Sequence, residues 1–219
     1  MRPWAFPRIP HLRGSHAAPD DLVLAEEEEA LFFRGELLAM EKMDGLNVAV
    51  CMDGGWPRAE LKFDWVGVAD GAVERAIRAW IFTRRRELRA LLDGGHTLHG
   101  AWLWHTVSVH YDALEDVFLG FGLRDPGGRM LPPLRALERI SGAGVPAATP
   151  LWRGTARGMA ELRALVSRSR HGRARAEGLI LEHTAPHAIR HAKWVERGYR
   201  HVVPGTLDGR RNRVRRPRA

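Results

Sequence analysis

The first third of the chain alternates short apolar segments with tight-turn residues. Residues 36–42 and 46–52 are predicted to form two strands around a tight Asp-Gly turn. An Asp-Gly-Gly turn at residues 53–55 then leads to a third strand near residues 59–63. Strands joined by so few residues pair as antiparallel neighbours, because a parallel connection needs a dozen residues or more. This region therefore predicts antiparallel sheet.

Later segments add helices to this pattern. Apolar positions between residues 71 and 92 fall at helical spacing, with three arginines at 84–86 across the opposite face. Further strands are predicted at 97–104, 106–110, 117–123, 178–183 and 189–195, and short helices at 134–140 and 159–166. Strand clusters interrupted by helices predict an α+β fold, with antiparallel sheets flanked by helices.

Composition limits the class of protein. The 219 residues are 45% hydrophobic and include eight tryptophans, which is typical of one folded globular domain. The single Cys51 has no partner for an internal disulfide and lies in an apolar run, as expected in a reducing cytoplasm. The sequence contains no apolar run of membrane-spanning length and no signal-peptide pattern, so we expect neither membrane insertion nor secretion.

Lysine is rare in this chain, and its positions are informative. Of 34 lysines and arginines, only Lys42, Lys62 and Lys193 are lysine. An ammonium group can lose a proton and become a nucleophile, whereas a guanidinium stays charged at physiological pH. Lys42 stands in the sequence Glu-Lys-Met-Asp-Gly-Leu-Asn at 41–47. This K-x-D-G pattern is typical of covalent nucleotidyl transfer, although an arginine-favouring base composition would also leave few lysines.

Five further segments follow the K-x-D-G pattern in order. They are Leu-Lys at 61–62, Leu-His-Gly-Ala-Trp at 98–102, Phe-Leu-Gly-Phe at 118–121, Ala-Glu-Gly-Leu-Ile at 176–180 and Ala-Lys-Trp-Val at 192–195. Together they resemble the covalent lysyl-nucleotidyltransferase superfamily of ATP-dependent ligases and capping enzymes, specifically the RNA ligases of the nick-sealing phage type. The resemblance runs from about residue 8 to 200. It implies a nucleotidyltransferase domain, the ATP-grasp-like adenylation fold of ligases.

The resemblance also implies a reaction and a role for each matching residue. A lysine amine attacks the α-phosphate of ATP to give lysyl-AMP, the AMP moves to a 5′-phosphate end, and a 3′-hydroxyl displaces it. Lys42 is the implied nucleophile, Lys193 the lysine that contacts phosphate, and Glu177 the carboxylate that binds Mg²⁺ or Mn²⁺. Phe121 matches an aromatic residue that stacks on adenine. The implied nucleotide-binding residues are Glu41, Lys42, Asp44, Gly45, Asn47, Lys62, Phe121, Glu177 and Lys193.

Three positions depart from the family pattern. Ala101 stands where the family usually has glutamate, Lys62 where it usually has arginine, and Val195 where a second basic residue is common. The alanine side chain accepts no hydrogen bond, and lysine keeps the charge of arginine without its bidentate fork. We expect the first step to survive, whereas ribose recognition and the later steps are left open.

The C-terminal segment is strongly basic. Six arginines lie between residues 210 and 218 of a chain whose net charge is +8. We predict an adenylyltransferase domain at 1–205 and a flexible tail at 206–219 that binds polynucleotides without sequence preference. Removal of the tail is expected to weaken this binding and to leave lysyl-AMP formation nearly intact. The predicted nucleic-acid contacts are Arg210, Arg211, Arg213, Arg215 and Arg216.

Several alternatives stay open. DNA ligases and capping guanylyltransferases use the same core, and a degenerate relative would bind nucleic acid without forming lysyl-AMP. The expected substrate is RNA ends, in a role such as RNA repair, with DNA or mixed strands as alternatives. We expect a monomer, to which a partner protein could supply a duplex-gripping domain. Histidines at 96, 99, 105 and 110 lack the cysteines and tight spacing of a zinc site.

Overall fold

The computed structural model describes residues 8–61, 71–199 and 209–215. Within these residues the helices are α1 (Glu26–Phe32), α2 (Gly71–Thr83), α3 (Arg85–Leu92), α4 (Pro133–Gly142) and α5 (Met159–Leu162), and a 3-10 turn follows at Arg163–Leu165. The strands are β1 (Leu37–Glu41), β2 (Leu46–Asp53), β3 (Trp56–Leu61), β4 (Thr97–Trp102), β5 (Phe118–Arg124), β6 (Pro150–Gly154), β7 (Gly178–His183) and β8 (His191–Val195).

These strands form two antiparallel sheets. The first sheet has the order β6-β1-β7-β8, and the second has the order β3-β2-β4-β5. Helices α2 and α3 contact β3, and α4 contacts β5. Two antiparallel sheets with flanking helices confirm the predicted α+β fold. No helix in the described part of the chain is long and apolar enough to span a membrane.

Strands β1 and β2 lie in different sheets, so the predicted hairpin between them is wrong. β1 pairs with β6 and β7, which come from the last third of the chain, whereas β2 pairs with β3 and β4. Residues 42–45 cross from one sheet to the other. At Gly45 an added Cβ would lie 2.6 Å from Leu103 Cδ2 and 2.7 Å from the Trp102 carbonyl oxygen, so this crossing has room only for glycine.

The described residues form a hydrophobic core in three parts, and β1 belongs to two of them. Leu37 and Ala39 face a cluster with α1 and α5, while Leu38 and Met40 face a cluster between the two sheets. Successive side chains of a strand point to opposite faces, so both faces of β1 are covered. A third cluster lies beneath the second sheet, against α2, α3 and α4. The residue that follows β1 is therefore carried by a strand buried on both faces.

Three other local predictions need correction. Residues 71–92 form two helices that break at Arg84, whose Nη2 donates to Asp116 Oδ2 at 2.8 Å. Strand β6 lies between the short helices predicted at 134–140 and 159–166, where we predicted no strand. Residues 106–110 are not a strand: they belong to an irregular segment, 103–114, whose backbone bonds largely to residues distant in sequence. The alternation of apolar and polar residues at 106–110 is typical of a strand, which explains the wrong prediction.

Candidate active site

A cavity of about 530 Å³ lies between the two sheets. The first sheet contributes Lys193 and the segment that follows β1, and the second contributes Asn47, Ala101 and Phe121. The cavity thus brings together most of the residues that the resemblance implied for nucleotide binding. Lys62 lies outside the described residues.

Strand register brings Lys42 to Glu177. β1 pairs with β7 with Glu41 opposite Leu179, so the register places Lys42 opposite Gly178, next to Glu177. The Lys42 backbone N–H donates to the Gly178 carbonyl at 2.9 Å, and Lys42 Nζ donates to Glu177 Oε2 at 2.6 Å. A Cβ at Gly178 would overlap the Trp194 carbonyl oxygen, so the Glu-Gly pair is required for β7 and β8 to approach.

Glu177 is a buried carboxylate whose strongest partner is the lysine. Burial raises the pKa of the Glu177 carboxyl above its usual range, and the positive charge of Lys42 limits that rise. The lysine side chain is 22% exposed and the glutamate 10%. Lys42 lines the cavity, and the carboxylate that it contacts has little water around it, which suits proton movement between the two groups.

Lys193 approaches the same cavity from β8 and meets an unexpected partner. Its Nζ lies 3.6 Å from Asp21 Oδ1, and Asp21 Oδ2 accepts a hydrogen bond from His11 Nε2 at 3.1 Å. Burial lowers the pKa of Lys193, and Asp21 opposes this shift. His11 pairs with Lys193 in an isolated parallel bridge, so the N-terminal segment extends the edge of β8. Sequence reasoning missed Asp21, because no motif links residues this far apart.

Glu41 carries a buried oxygen that lacks a partner among the described residues. Its Oε2 accepts a hydrogen bond from the Arg170 backbone at 3.0 Å, while its Oε1 is buried and unbonded. Glu41 lines both the main cavity and a smaller one that Arg170, His171 and Arg215 also line. A buried polar atom without a partner costs free energy, so a ligand that donates a hydrogen bond here would be favoured.

Asp44 bonds to a different part of the chain from Lys42, although it stands only two residues after it. Its Oδ2 accepts hydrogen bonds from the Ser108 N–H at 2.6 Å, the Ser108 hydroxyl at 2.8 Å and the Val109 N–H at 2.6 Å. Its own N–H donates to the Tyr111 hydroxyl at 2.8 Å. The structure thus places Asp44 against the irregular segment 103–114. A direct role for Asp44 in nucleotide binding stays a prediction.

Asn47, Ala101 and Phe121 share one wall of the cavity. Asn47 lies opposite Ala101 in the pairing of β2 with β4, and Ala101 lies opposite Leu119 in the pairing of β4 with β5. Ala101 is 3% exposed and packs among apolar residues between the sheets. Its methyl group occupies the position where the family usually has a carboxylate, so this part of the wall lacks a side-chain acceptor.

The resemblance implied Glu177 as the ligand of a divalent ion, and this role stays a prediction. Among the described residues there is no group of three or more histidine, cysteine or acidic side chains that could hold a metal. Mg²⁺ and Mn²⁺ are commonly bound by one or two carboxylates together with substrate phosphates and water. Glu177 would hold such an ion together with the phosphates of a bound nucleotide.

The C-terminal residues 209–215 pack against segment 103–114. The guanidinium of Arg211 lies over the Trp104 ring at 4.2 Å from its centroid, and Arg210, Arg213 and Arg215 are exposed. Arg216 lies outside the described residues. These seven residues thus lie against the domain, whereas the boundary at residue 205 and the binding of nucleic acid stay predictions.

Comparisons with known proteins add a family and a fold. Residues 35–195 match the sequence model described as RNA ligase. No curated protein matches the chain significantly. A Naegleria gruberi RNA ligase mutant solved with ATP and Mn is similar with a TM-score of 0.56 and 12% identity, over 88% of this chain and 61% of that one.

Two further solved structures are similar at about the same level. An archaeal ATP-dependent RNA ligase has a TM-score of 0.53 and 18% identity, over 88% of this chain and 48% of that one. A putative ATP-dependent DNA ligase from Aquifex aeolicus has a TM-score of 0.52 and 16% identity, over 88% of this chain and 50% of that one. The chain therefore spans about half of the length of these two structures. At such identities the likeness shows a shared fold.

Proposed function

The chain belongs to the RNA ligase family, as its motifs predicted, and we propose that it is an ATP-dependent ligase that forms lysyl-AMP on Lys42 and joins RNA ends. The observation that carries the proposal is the pairing of Lys42 Nζ with a buried carboxylate at 2.6 Å in a cavity that Lys193 also lines. One potential nucleophile, one proton acceptor and one additional cation converge on a space large enough for a nucleotide.

The first step joins Lys42 to AMP. The Nζ lone pair forms a P–N bond to the α-phosphorus of ATP, the bond from that phosphorus to the α–β bridging oxygen breaks, and pyrophosphate leaves. The ammonium must lose a proton beforehand, because a protonated amine has no lone pair. Glu177 lies within hydrogen-bond distance of Nζ, and burial raises the pKa of its carboxyl, so it is suited to hold that proton.

Lys193 supplies positive charge for the phosphate. Its ammonium is half-buried beside Asp21, where charge interacts more strongly than in bulk water. An incoming α-phosphate would compete with Asp21 for this cation. When bound with the nucleotide, a divalent ion on Glu177 would further neutralise the phosphate oxygens.

Glu41 is the residue that we expect to favour ATP over GTP. Glu41 lines the cavity, and its Oε1 is a buried hydrogen-bond acceptor without a partner among the described residues. The exocyclic amino group of adenine is a donor and satisfies it, whereas guanine carries a carbonyl oxygen at the equivalent ring position. An acceptor facing an acceptor leaves both unsatisfied, which disfavours GTP. This argues for ligation over capping with a guanylyl group.

The later steps require a polynucleotide, and the exposed arginines at 210–215 are suited to bind its phosphates. We propose RNA ends as the substrate and RNA repair as the role, with DNA or mixed strands as alternatives. Replacement of Arg210 and Arg213 by alanine should flatten the salt dependence of RNA binding by almost one unit for each arginine that had bound a phosphate. Arg129→Ala, which removes an exposed arginine from another surface, is the control. An unchanged slope would place the polynucleotide elsewhere.

The proposal is tested with α-labelled ATP and a divalent ion, followed by denaturing electrophoresis. We expect a label that stays with the protein, is released by added pyrophosphate, and is diluted by unlabelled ATP far better than by GTP. A second incubation with a nicked or 5′-phosphorylated RNA should transfer the label and yield a joined product. If the protein binds RNA but acquires no label, it is a binding protein that has lost the chemistry.

A further inference from the structure

Asn212 enters the domain from the C-terminal segment and forms its full set of hydrogen bonds. Its Nδ2 donates to the carbonyls of Leu103 at 2.8 Å and His105 at 2.9 Å. Its Oδ1 accepts from the Thr106 hydroxyl at 3.0 Å and the Tyr111 N–H at 2.9 Å. A side-chain amide has two N–H groups and one carbonyl oxygen with two lone pairs, so every site on it is used. The residue is only 9% exposed.

The backbone of residues 209–215 adds further bonds to the same irregular segment, 103–114. The Thr106 N–H donates to the Arg210 carbonyl at 2.8 Å, and the Leu114 N–H donates to the Arg213 carbonyl at 3.0 Å. In return, the Arg213 N–H donates to the Tyr111 carbonyl at 2.9 Å. Segment 103–114 has no regular strand or helix to pair its polar backbone groups, so the C-terminal residues take the place of a neighbouring strand.

Segment 103–114 is also the segment that holds Asp44. Tyr111 connects the two ends of the arrangement, because its N–H is bound by Asn212 and its hydroxyl accepts from the Asp44 N–H. Ser108 and Val109, which bind the Asp44 carboxylate, lie between the residues that Asn212 contacts. Asp44 stands two residues after Lys42 on the crossing between the sheets. The contacts therefore run without a gap from Asn212 to the K-x-D-G motif.

We propose that residues 209–215 form a strap that positions the nucleotidyl-transfer motif, and that Asn212 is its positioning residue. By fixing segment 103–114, the strap holds Asp44, and thereby keeps Lys42 aligned with Glu177. The inference rests on the function proposed above. It reverses the expectation that the C-terminal segment can be removed without loss of lysyl-AMP formation. Asn212 is uncharged and buried, and it contacts none of the described residues that line the cavity, so it would act on the motif through segment 103–114.

The test is the single-turnover rate of lysyl-AMP formation in Asn212→Asp. The change keeps the shape of the side chain but places a carboxylate oxygen against the two carbonyls that now accept from Nδ2. We expect the rate to fall about tenfold or more, because small displacements of reacting groups are costly. The ATP concentration for half-saturation should change less than twofold. Val214→Ala, which alters an exposed side chain of the same strap, should keep the wild-type rate.

A second variant and a second measurement separate positioning from general stability. Tyr111→Phe removes the hydroxyl that binds the Asp44 N–H and should slow lysyl-AMP formation in the same way. Val73→Ala, in the core beneath the second sheet, serves as a control that lowers the unfolding temperature without touching the strap. At equal fractions folded, it should keep the wild-type rate. Wild-type rates in both Asn212→Asp and Tyr111→Phe would overturn the proposal.

Hydrogen exchange tests the strap independently of catalysis. In Asn212→Asp the amides of Ser108 and Val109 should exchange at least tenfold faster, while those of α3 stay protected. Unchanged protection of Ser108 and Val109 would refute the strap even if activity falls. If the wild-type protein forms no lysyl-AMP under any condition, the proposed function fails, and hydrogen exchange alone then decides whether the strap holds segment 103–114.

Discussion

Lys42 and Asp44 are two residues apart, yet they depend on different regions of the molecule. Lys42 is placed by the first sheet, through the register of β1 with β7 and the contact with Glu177. Asp44 is placed by the irregular segment 103–114. A four-residue crossing between two sheets thus joins the proposed nucleophile, which a strand holds, to a carboxylate that segment 103–114 holds. The difference shows that one short motif can combine a reacting group with the anchor that fixes its backbone.

The two carboxylates of these regions differ in how well they are satisfied. Asp44 accepts three hydrogen bonds from Ser108 and Val109 at one oxygen. Glu177 is buried, and burial raises its pKa despite the lysine beside it. A carboxylate with several donors stabilises the fold, whereas one that is desolvated beside a potential nucleophile is held at a cost in stability. Substitutions should therefore separate stability from chemistry.

The largest expected effect is at Lys42, the proposed nucleophile, which the first sheet holds in place. Lys42→Arg keeps a positive charge near Glu177 but removes the amine that we propose attacks phosphorus. We expect lysyl-AMP formation to vanish, with the unfolding temperature nearly unchanged. Transfer of label from α-labelled ATP measures the first, and thermal unfolding measures the second. Label remaining on Lys42→Arg would show that another residue is the nucleophile.

The next effect concerns the carboxylate that pairs with the lysine. Glu177→Gln keeps the size of the side chain but cannot hold a proton or bind a divalent ion well. We expect the rate of lysyl-AMP formation to fall by about 10²–10³, the usual loss when one electrostatic group is removed from an active site. The free energy of unfolding should stay the same or rise, because the raised pKa of Glu177 shows that folding disfavours its charged form even beside Lys42. A marked loss of stability would contradict the contrast with Asp44.

The corresponding change at Asp44, which segment 103–114 holds in place, should lower stability first. Asp44→Asn removes the charge that strengthens three hydrogen bonds, so the free energy of unfolding should fall by about 1.5–3 kcal/mol, the range for bonds to charged groups. Urea unfolding measures this loss. Lysyl-AMP formation should also slow, since the motif loses its anchor. A variant as stable as the wild type would mean that segment 103–114 does not depend on Asp44.

The positions of the site residues that strands hold were predictable from sequence, whereas the contacts of segment 103–114 with Asp44 were not. Lys42, Glu177 and Lys193 lie in or next to strands with local motifs, and each strand fixes the direction of its side chains. The partners of Asp44 follow from no local pattern, because the alternation at 106–110 imitates a strand. The buried position of Asn212 was equally unpredictable, because it lies in a run of arginines from which we predicted only a charged tail. Contacts between segments distant in sequence, without a repeating pattern, leave no local signal.

Fold class was likewise predictable, whereas strand pairing was not. Hydrophobic alternation and turn residues indicated most of the strands, but the short connection after β1 suggested a hairpin. The pairing of β1 with β6 and β7 depends on apolar faces that meet only in the folded chain. Gly45 illustrates the limit, because its Asp-Gly neighbourhood is typical of a turn, while its lack of a side chain serves a close crossing past Trp102 and Leu103.

The smallest expected effect is a pH dependence of stability that comes from His11, which lies beside Lys193 of β8. Burial, reinforced by the positive charge of Lys193, lowers the pKa of His11 to about 4, although Asp21 acts in the opposite direction. The unfolded chain takes up this proton near pH 6.5 and the folded chain only near pH 4. Stability from the neutral imidazole is therefore present above pH 6.5 and is lost as the pH falls towards 4.

His11→Gln isolates this contribution from other histidines that titrate in the same range. The wild type should be the more stable protein at pH 7, because His11 bridges Ser15 and Asp21 in a buried position. Between pH 7 and pH 5 the difference in the free energy of unfolding should shrink by on the order of 1–2 kcal/mol, since only the wild type loses stability from this group. Urea unfolding at the two pH values measures the difference. A gap that is independent of pH would show that folded His11 takes up its proton near pH 6.5, as the unfolded chain does, and that the edge of β8 beside Lys193 is more hydrated than its burial indicates.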